Sequence, residues 1–226
     1  MIALATIAVL TNLAVSAEVE IGVSSRQTKF GSVEKDGAVG IVEGEIGAYG
    51  LSVGAEWVFD HEGGRELSVG PRYEYEWEGF GGASVGYVYE AHPERGEPCT
   101  QYVVPRIAAD CLLRPSIEAW YDIAENYGAA YYSLDFGHGF GLTSRFSLDL
   151  DAGVGLGNAR MNRERADFDA LGFKDLHATA SLKYGVTENF GVKPWVSVIH
   201  RFRHGGEEDT CGDLLFVGGA FAYLEF

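Results

Sequence analysis

The stretch Glu66–Trp77, ELSVGPRYEYEW, alternates between two kinds of side chain. Every second residue is apolar, and this set ends in the aromatic residues Tyr73, Tyr75 and Trp77. The residues between them are glutamate, serine, glycine and arginine. Because successive side chains of a β-strand point to opposite faces, this period of two predicts a strand with one apolar and one charged face.

The same period returns along the rest of the chain, most clearly in Arg145–Val154 and Leu176–Tyr184. No window shows an equally good helical period. Glycine-rich and polar turn signals divide the alternating runs. The predicted strands are 19–29, 38–47, 50–60, 65–77, 80–91, 99–108, 114–123, 127–137, 142–156, 172–184, 189–202 and 212–226.

The sixth predicted strand is the weakest, because it contains Pro105 and alternates poorly. We include it because a barrel whose two ends lie on the same side needs an even number of strands. With twelve strands, short joints share one rim and longer connections share the other, as in transmembrane barrels. The predicted short joints are 47–50, 78–81, 109–114, 137–141 and 187–189, and the longer connections are 92–98, 157–171 and 203–211.

Composition narrows the protein class. The 226 residues include 31 glycines and 13% aromatics, with 17 Lys and Arg against 33 Asp and Glu, a formal charge of −16. Such a chain lacks the clustered basic residues that bind nucleic acid. No long apolar run follows the N-terminal segment, which excludes a helical membrane protein. The apolar faces carry aromatics and small residues, whereas a soluble β-sandwich or barrel, the alternative, fills its core with large aliphatics. We therefore predict an all-β fold, a closed antiparallel up-and-down transmembrane β-barrel of about 12 strands.

Residues 1–17, MIALATIAVLTNLAVSA, form an apolar segment that ends in small residues. This pattern predicts a signal peptide cleaved after Ala17, although no Lys or Arg precedes the apolar part. A buried first strand or core helix is the alternative. The predicted division is therefore a signal peptide at 1–17 and a barrel at 18–226.

The last strand alternates down to a terminal Phe226, and here the chain resembles bacterial outer-membrane barrels. The segments Glu66–Gly70, Ala83–Tyr89, Arg114–Asp122 and Tyr184–Phe190 resemble the TorF-class putative porins, with the MltA-interacting barrels as a looser match. The resemblance implies an outer-membrane location, with the lipid bilayer as a partner, and a barrel near twelve strands. It transfers no catalytic residue.

Placing the polar face of each strand toward the lumen gives an interior in which acidic residues outnumber basic ones. The negative electrostatic field of such an interior favours cations at a constriction. The alternative is an interior whose charges form salt bridges and which does not conduct. The candidate pore-lining residues are Glu56, Arg72, Glu74, Glu76, Glu118, Arg145, Asp149, Asp151, Lys183, Lys193 and Arg201.

Enzyme and metal sites are poorly supported by the sequence. His177 and Ser181 share a face, but four residues along a strand separate them by roughly 13 Å. The histidines and the three cysteines show no metal-ligand spacing. We therefore predict no catalytic residue, no metal and no cofactor. Of the cysteines, Cys99 and Cys111 would lie on opposite rims, which leaves Cys99 and Cys211 as the feasible disulfide.

These observations predict an outer-membrane barrel that is a narrow, porin-like channel for small solutes, with a weak cation preference. The alternative is a non-conducting barrel that scaffolds other proteins of the cell envelope. A lipid-modifying barrel enzyme is a more distant third.

Overall fold

The computed structural model describes residues 16–30, 32–93, 99–166, 170–202 and 213–226. Twelve antiparallel strands in these residues form one closed barrel, in which each strand pairs with its neighbours in sequence. The predicted fold class is therefore confirmed. The strands are β1 (Ser16–Lys29), β2 (Ser32–Ala48), β3 (Leu51–Asp60), β4 (Arg65–Trp77), β5 (Gly81–Ala91), β6 (Thr100–Ala109), β7 (Ser116–Asp122), β8 (Ala130–Gly141), β9 (Phe146–Gly157), β10 (Gly172–Gly185), β11 (Phe190–Arg201) and β12 (Leu214–Glu225).

The barrel closes where β1 pairs with β12. The pairing runs from Glu18 opposite Glu225 to Ser24 opposite Gly219. Closure leaves no strand edge, so the backbone N–H and C=O groups of every strand find partners inside the sheet.

The sixth strand is real, and its poor alternation has a structural cause. Its lumen-facing residues Tyr102 and Val104 are buried, while Ile107 is exposed on the outside. Both faces of β6 therefore carry apolar residues, so its sequence does not alternate clearly between apolar and polar residues. Pro105 lies opposite Val85 of β5, within the paired region.

The connections divide between the rims largely as predicted, although the short turns after β1 and β3 share a rim with the longer connections. Short turns at 49–50, 78–80, 110–115, 142–145 and 186–189 lie on the rim where β1 begins and β12 ends, the short-turn rim. The connections near 92–99, 158–171 and 202–213 lie on the opposite, long-loop rim. Cys99 and Cys111 stand at opposite ends of β6. The predicted Cys99–Cys211 disulfide falls outside the described residues, as does most of the predicted signal peptide.

One predicted turn is wrong. The segment 137–141 belongs to β8, which continues to Gly141, so His138 lies in a strand and the turn is at 142–145. Gly137 and Gly139 resemble a turn signal, but they line the lumen beside Asp151 and Asp149, where a Cβ would collide with the carboxylates. The glycines make room for neighbouring side chains and do not end the strand.

A short helix that the sequence did not predict, α1 (Ala159–Ala166), lies in the connection between β9 and β10. The Asn158 side-chain oxygen accepts the backbone N–H of Met161 at 2.9 Å, which caps the helix. No helix in the described ranges is long and apolar enough to cross a bilayer.

The outward face of the barrel is apolar. Aliphatic residues such as Ile21 and Val196 are exposed on it, and Tyr73, Tyr75 and Trp77 are about half exposed near the short-turn rim. The rings of Tyr75 and Trp77 meet edge to face with centroids 5.3 Å apart. An apolar band bordered by aromatics is the surface that a lipid bilayer requires.

The topology predicts which rim faces the cell exterior. In a variant without native cysteines, Glu62→Cys on the long-loop rim should react with a membrane-impermeant maleimide on intact cells. Ser144→Cys on the short-turn rim should react only after the outer membrane is opened. Both side chains are exposed, so labelling depends only on the side of the membrane on which each residue lies. Reversed labelling would contradict this orientation.

The two faces of β4 predict opposite tolerance of charge. Val69 faces outward, and Val69→Arg should lower the free energy of unfolding by roughly 2–4 kcal/mol because it places a charge in lipid. Ser68→Arg, one residue away, enters the lumen opposite Glu56 and should cost much less. Urea unfolding in lipid vesicles measures both. Equal losses would argue against a lipid-facing outer surface.

Candidate functional site

The candidate site is the barrel lumen, which contains a cavity of about 1110 Å³. The cavity reaches from the short-turn rim to the end of β1 and is bordered mainly by β1–β5 and β11. Its basic lining residues are Arg26, Lys29, Arg72 and Lys193. Its acidic lining residues are Glu18, Glu20, Glu43, Glu45, Glu56, Glu66 and Glu225.

Strand register arranges six of these carboxylates in two rows. Glu18 of β1 lies opposite Glu225 of β12 and Glu45 of β2, and these three residues form the rim row. One step deeper, Glu43 lies opposite Glu20 and Glu56, and these three form the middle row.

Each row places like charges on directly opposite residues. The Cβ atoms of such cross-strand pairs are about 4.5–5.5 Å apart. This concentration of acidic side chains makes the wall the candidate functional site of the lumen.

Two lysines from the neighbouring wall neutralise part of this charge. Lys193 Nζ donates to Glu20 Oε1 at 2.5 Å, and Lys183 Nζ donates to Glu225 Oε1 at 2.6 Å. Each ammonium also lies over an aromatic ring, Lys193 over Phe221 at 5.3 Å and Lys183 over Tyr223 at 4.3 Å. These contacts combine an ion pair with a cation–π interaction.

The other four carboxylates of the rows have no such counter-ion. Within the described residues, no lysine, arginine or histidine forms a salt bridge with Glu18, Glu43, Glu45 or Glu56. Acidic side chains therefore outnumber basic ones on the cavity wall formed by β1–β3.

Aromatic side chains obstruct the lumen beyond the cavity. Phe30, which follows β1, turns inward and is buried against Tyr102, Trp120 and Tyr131, with ring centroids 4.9–5.8 Å apart. Together with Val104, Ala129 and Met161, these residues form a cluster that we call the aromatic plug. Lys29, next to the aromatic plug, forms a salt bridge with Glu90, and its Nζ atom lies 3.7 Å from Glu66 Oε1.

The plug borders two cavities. The second cavity has a volume of about 220 Å³, and Thr28, Lys29 and Phe30 line both. The plug therefore narrows the lumen where the two cavities adjoin.

The smaller cavity is bordered by a hydrogen-bonded chain of polar groups. His177 Nδ1 is 2.8 Å from Asp175 Oδ1, and His177 Nε2 is 3.0 Å from Asp135 Oδ1. Tyr131 donates its hydroxyl proton to Asp175 Oδ2 at 2.9 Å. Both ring nitrogens face carboxylate oxygens, an arrangement that favours the doubly protonated imidazolium. These hydrogen bonds connect side chains of β8 with side chains of β10.

Glu66, Glu90 and His92 bring potential metal-ligand atoms within 4.8 Å of one another. Both carboxylates are already close to the Lys29 ammonium. Their charge is therefore offset by a cation of the protein itself.

The sequence-derived candidates occupy different parts of the barrel. Glu56, Arg72 and Lys193 line the large cavity, and Lys183 reaches its edge by bonding to Glu225. Glu118 accepts a hydrogen bond from Trp120 Nε1 at 2.6 Å, next to the aromatic plug.

The remaining candidates lie away from the large cavity. Asp149 and Asp151 face inward on β9, beside Gly139 and Gly137. Arg201 Nη2 donates to Asp213 Oδ2 at 2.6 Å near the long-loop rim. Three candidates are exposed at the short-turn end: Glu74, Glu76 and Arg145.

The sequence prediction missed the apolar part of the lumen. Besides the plug, Ile199, Leu215 and Val217 form a second buried cluster between β11 and β12. Two signals could have revealed it. The sixth strand alternates poorly, and β12 begins with four consecutive apolar residues, which provide an apolar side chain to both faces.

No protein-family profile and no curated protein sequence matches the chain. The resemblance to TorF-class and MltA-interacting barrels therefore has no support from these comparisons.

Solved structures of porins and channels share the fold. The KdgM porin has 10% sequence identity and a TM-score of 0.58, with 93% of this chain and 99% of that chain covered. The NanC porin has 12% identity and a TM-score of 0.55, with 92% and 98% covered. The COG4313 outer membrane channel from Pseudomonas putida F1 has 9% identity and a TM-score of 0.53, with 94% and 95% covered. The chain thus has the same architecture as these outer-membrane barrels.

Proposed function

We propose that the protein is an outer-membrane channel of the porin type that passes small solutes and prefers cations. The observation that carries this proposal is the pair of carboxylate rows on the wall of the large lumen cavity. The apolar outer surface supports the membrane location, and the fold shared with porins supports the channel.

The cation preference follows from electrostatics. Acidic side chains outnumber basic ones on the wall of this confined cavity, whose dielectric is lower than that of bulk water. Their field raises the local concentration of cations and lowers that of anions. Salt screens this field over a Debye length of about 10 Å at 0.1 M, so the preference should be strongest in dilute salt.

The solute of a structural neighbour does not transfer to this chain. One KdgM structure contains oligogalacturonate, a chain of carboxylate-bearing sugars. The rim and middle rows would repel such a polyanion. A small neutral or positively charged solute suits the cavity wall better.

A second candidate function is a non-conducting barrel that scaffolds other envelope proteins. The aromatic plug favours it, because Phe30 and its neighbours occupy part of the lumen between the two cavities. The channel proposal requires that solutes pass beside the plug or that the plug move.

Removing charge from the rows should change ion selectivity. In planar bilayers with a salt gradient, the parent protein should show a cation-selective reversal potential. The triple variant Glu43→Gln, Glu45→Gln and Glu56→Gln keeps the side-chain size and should move the reversal potential toward anion preference, most strongly at low salt. The matched control Glu74→Gln with Glu76→Gln removes exposed charges outside the cavity and should move it less. Conductance with an unchanged reversal potential in the triple variant would contradict a selective role for the rows.

Removing a plug side chain should distinguish the channel function from the scaffold function. Phe30→Ala removes the ring that lies between the two cavities, so the single-channel conductance should rise above that of the parent. Phe59→Ala on the outward face is the control and should leave conductance unchanged. If both the parent and Phe30→Ala are folded and neither conducts, the channel proposal is wrong.

A further inference from the structure

We infer that the end of the β1–β2 hairpin is a gate, which lies inside the lumen in this structure and opens the lumen when it swings outward. The gate consists of residues 26–30 and 32–36, which we call the inward hairpin. This inference rests on the proposed function, because it assigns a moving part to the same channel.

The inward hairpin is not part of the barrel wall. Its two strands pair with each other through the last four residue pairs of the β1–β2 ladder. In the described part of the chain, the pairing of β1 with β12 ends at Ser24, and the pairing of β2 with β3 begins at Val39. Beyond these two residues, the strands of the hairpin leave the ladder of the barrel.

The β1–β2 ladder is irregular where the hairpin leaves the wall. Its register shifts between Ser24 and Arg26, and again between Gln27 and Thr28. A β-bulge leaves an extra residue unpaired and bends the strand. The first shift directly follows the last residue of β1 that pairs with β12, so it is placed to act as a hinge.

Side chains of the hairpin reach strands across the barrel. Phe30 packs against one aromatic residue from each of β6, β7 and β8. In the ring of twelve strands, β7 lies opposite β1. Val33 packs against the buried aliphatic cluster on β11 and β12. The hairpin therefore lies inside the barrel, and its end crosses the lumen.

Polar contacts hold the hairpin in this position. Lys29 forms a salt bridge with Glu90 of β5, and its Nζ atom lies 3.7 Å from Glu66 Oε1 of β4. Gln27 Nε2 donates to Glu66 Oε2 at 3.1 Å. Both glutamates are buried. Because a buried carboxylate without a counter-ion is costly, the two glutamates favour the inward position of Lys29.

The backbone of the hairpin opposes this position. Phe30 has a φ of +50°, in the left-handed region that bulky side chains rarely adopt. Such a conformation persists only where surrounding contacts hold it. The contacts of Lys29 and Phe30 therefore work against local strain, and loss of the Lys29 contacts should release the hairpin.

Motion of the hairpin can be measured without any current. Val104 is only 2% exposed and belongs to the aromatic plug, so a cysteine there is covered while Phe30 lies inward. In the refolded full chain without native cysteines, Val104→Cys should react slowly with a methanethiosulfonate reagent. Adding Lys29→Met removes the ion pair, keeps the length of the side chain, and should raise the rate by at least ~10-fold.

A second lysine provides the matched control for this measurement. Lys183 forms a salt bridge with Glu225 and also lies over an aromatic ring, but its partners belong to the barrel wall. Lys183→Met should therefore leave the labelling rate of Val104→Cys unchanged.

A cross-link tests whether the hairpin controls conductance. The side chains of Lys29 and Glu90 meet, so the pair Lys29→Cys and Glu90→Cys is within reach of a short bismaleimide. The cross-link holds the hairpin inward and should lower the single-channel conductance of this variant. The control pair Arg26→Cys and Asp36→Cys joins the two strands of the hairpin to each other, and its cross-link should change conductance much less.

Two results would overturn the inference. One is an equal labelling rate with and without Lys29→Met in folded proteins, and the other is a conducting channel that the cross-link to Glu90→Cys leaves unchanged. The cross-link decides the question alone if Lys29→Met does not fold. Faster labelling without conductance removes the channel and keeps the hairpin motion, whereas conductance with an unchanged labelling rate keeps the channel and removes the gate.

Discussion

The structure depends on one constraint: in a lipid bilayer, the backbone has no water with which to form hydrogen bonds. Each N–H and C=O group within the membrane must find its partner in the protein, and each failure costs several kcal/mol. The pairing of β1 with β12 meets this requirement by removing the two edges that an open sheet of eleven pairings would leave. The even strand number and the placement of both strand ends on one rim follow from that closure.

Closure also determines what the lumen contains. Side chains alternate along a strand, so every residue that faces lipid has neighbours that face inward. Contact with lipid does not constrain the inward-facing residues, so their chemistry can differ from strand to strand. Here the variation is uneven. Carboxylates collect on β1–β3 and aliphatic residues on β11 and β12, while the aromatic plug brings together residues from several strands. Within the carboxylate rows, Lys183 pairs with Glu225 and Lys193 pairs with Glu20.

The fold could be predicted from the sequence because lipid contact imposes a simple rule on the outer face. Segments such as Glu66–Trp77 follow that rule closely, and the twelve strands and the division of the rims were predicted correctly. The lumen follows no equally simple rule. Gly137 and Gly139 were mistaken for a turn because their role depends on Asp149 and Asp151 of the next strand. Phe30 and Tyr131 meet only after closure, about a hundred residues apart in sequence, so local patterns could not reveal the plug. The inward direction of Glu56 and Lys193 was predictable, but their cross-strand partners depend on register.

The first strand contributes to almost every feature of the lumen. It supplies Glu18 and Glu20 to the two rows, leads through Lys29 into the plug at Phe30, and forms half of the closing seam. The seam cannot form before β12 exists, so the acidic wall is completed in the same step that closes the barrel. A chain arrested at eleven strands would have neither the Glu18–Glu225 pair nor a continuous wall. The last strand therefore completes both the hydrogen bonding of the sheet and the lining of its lumen.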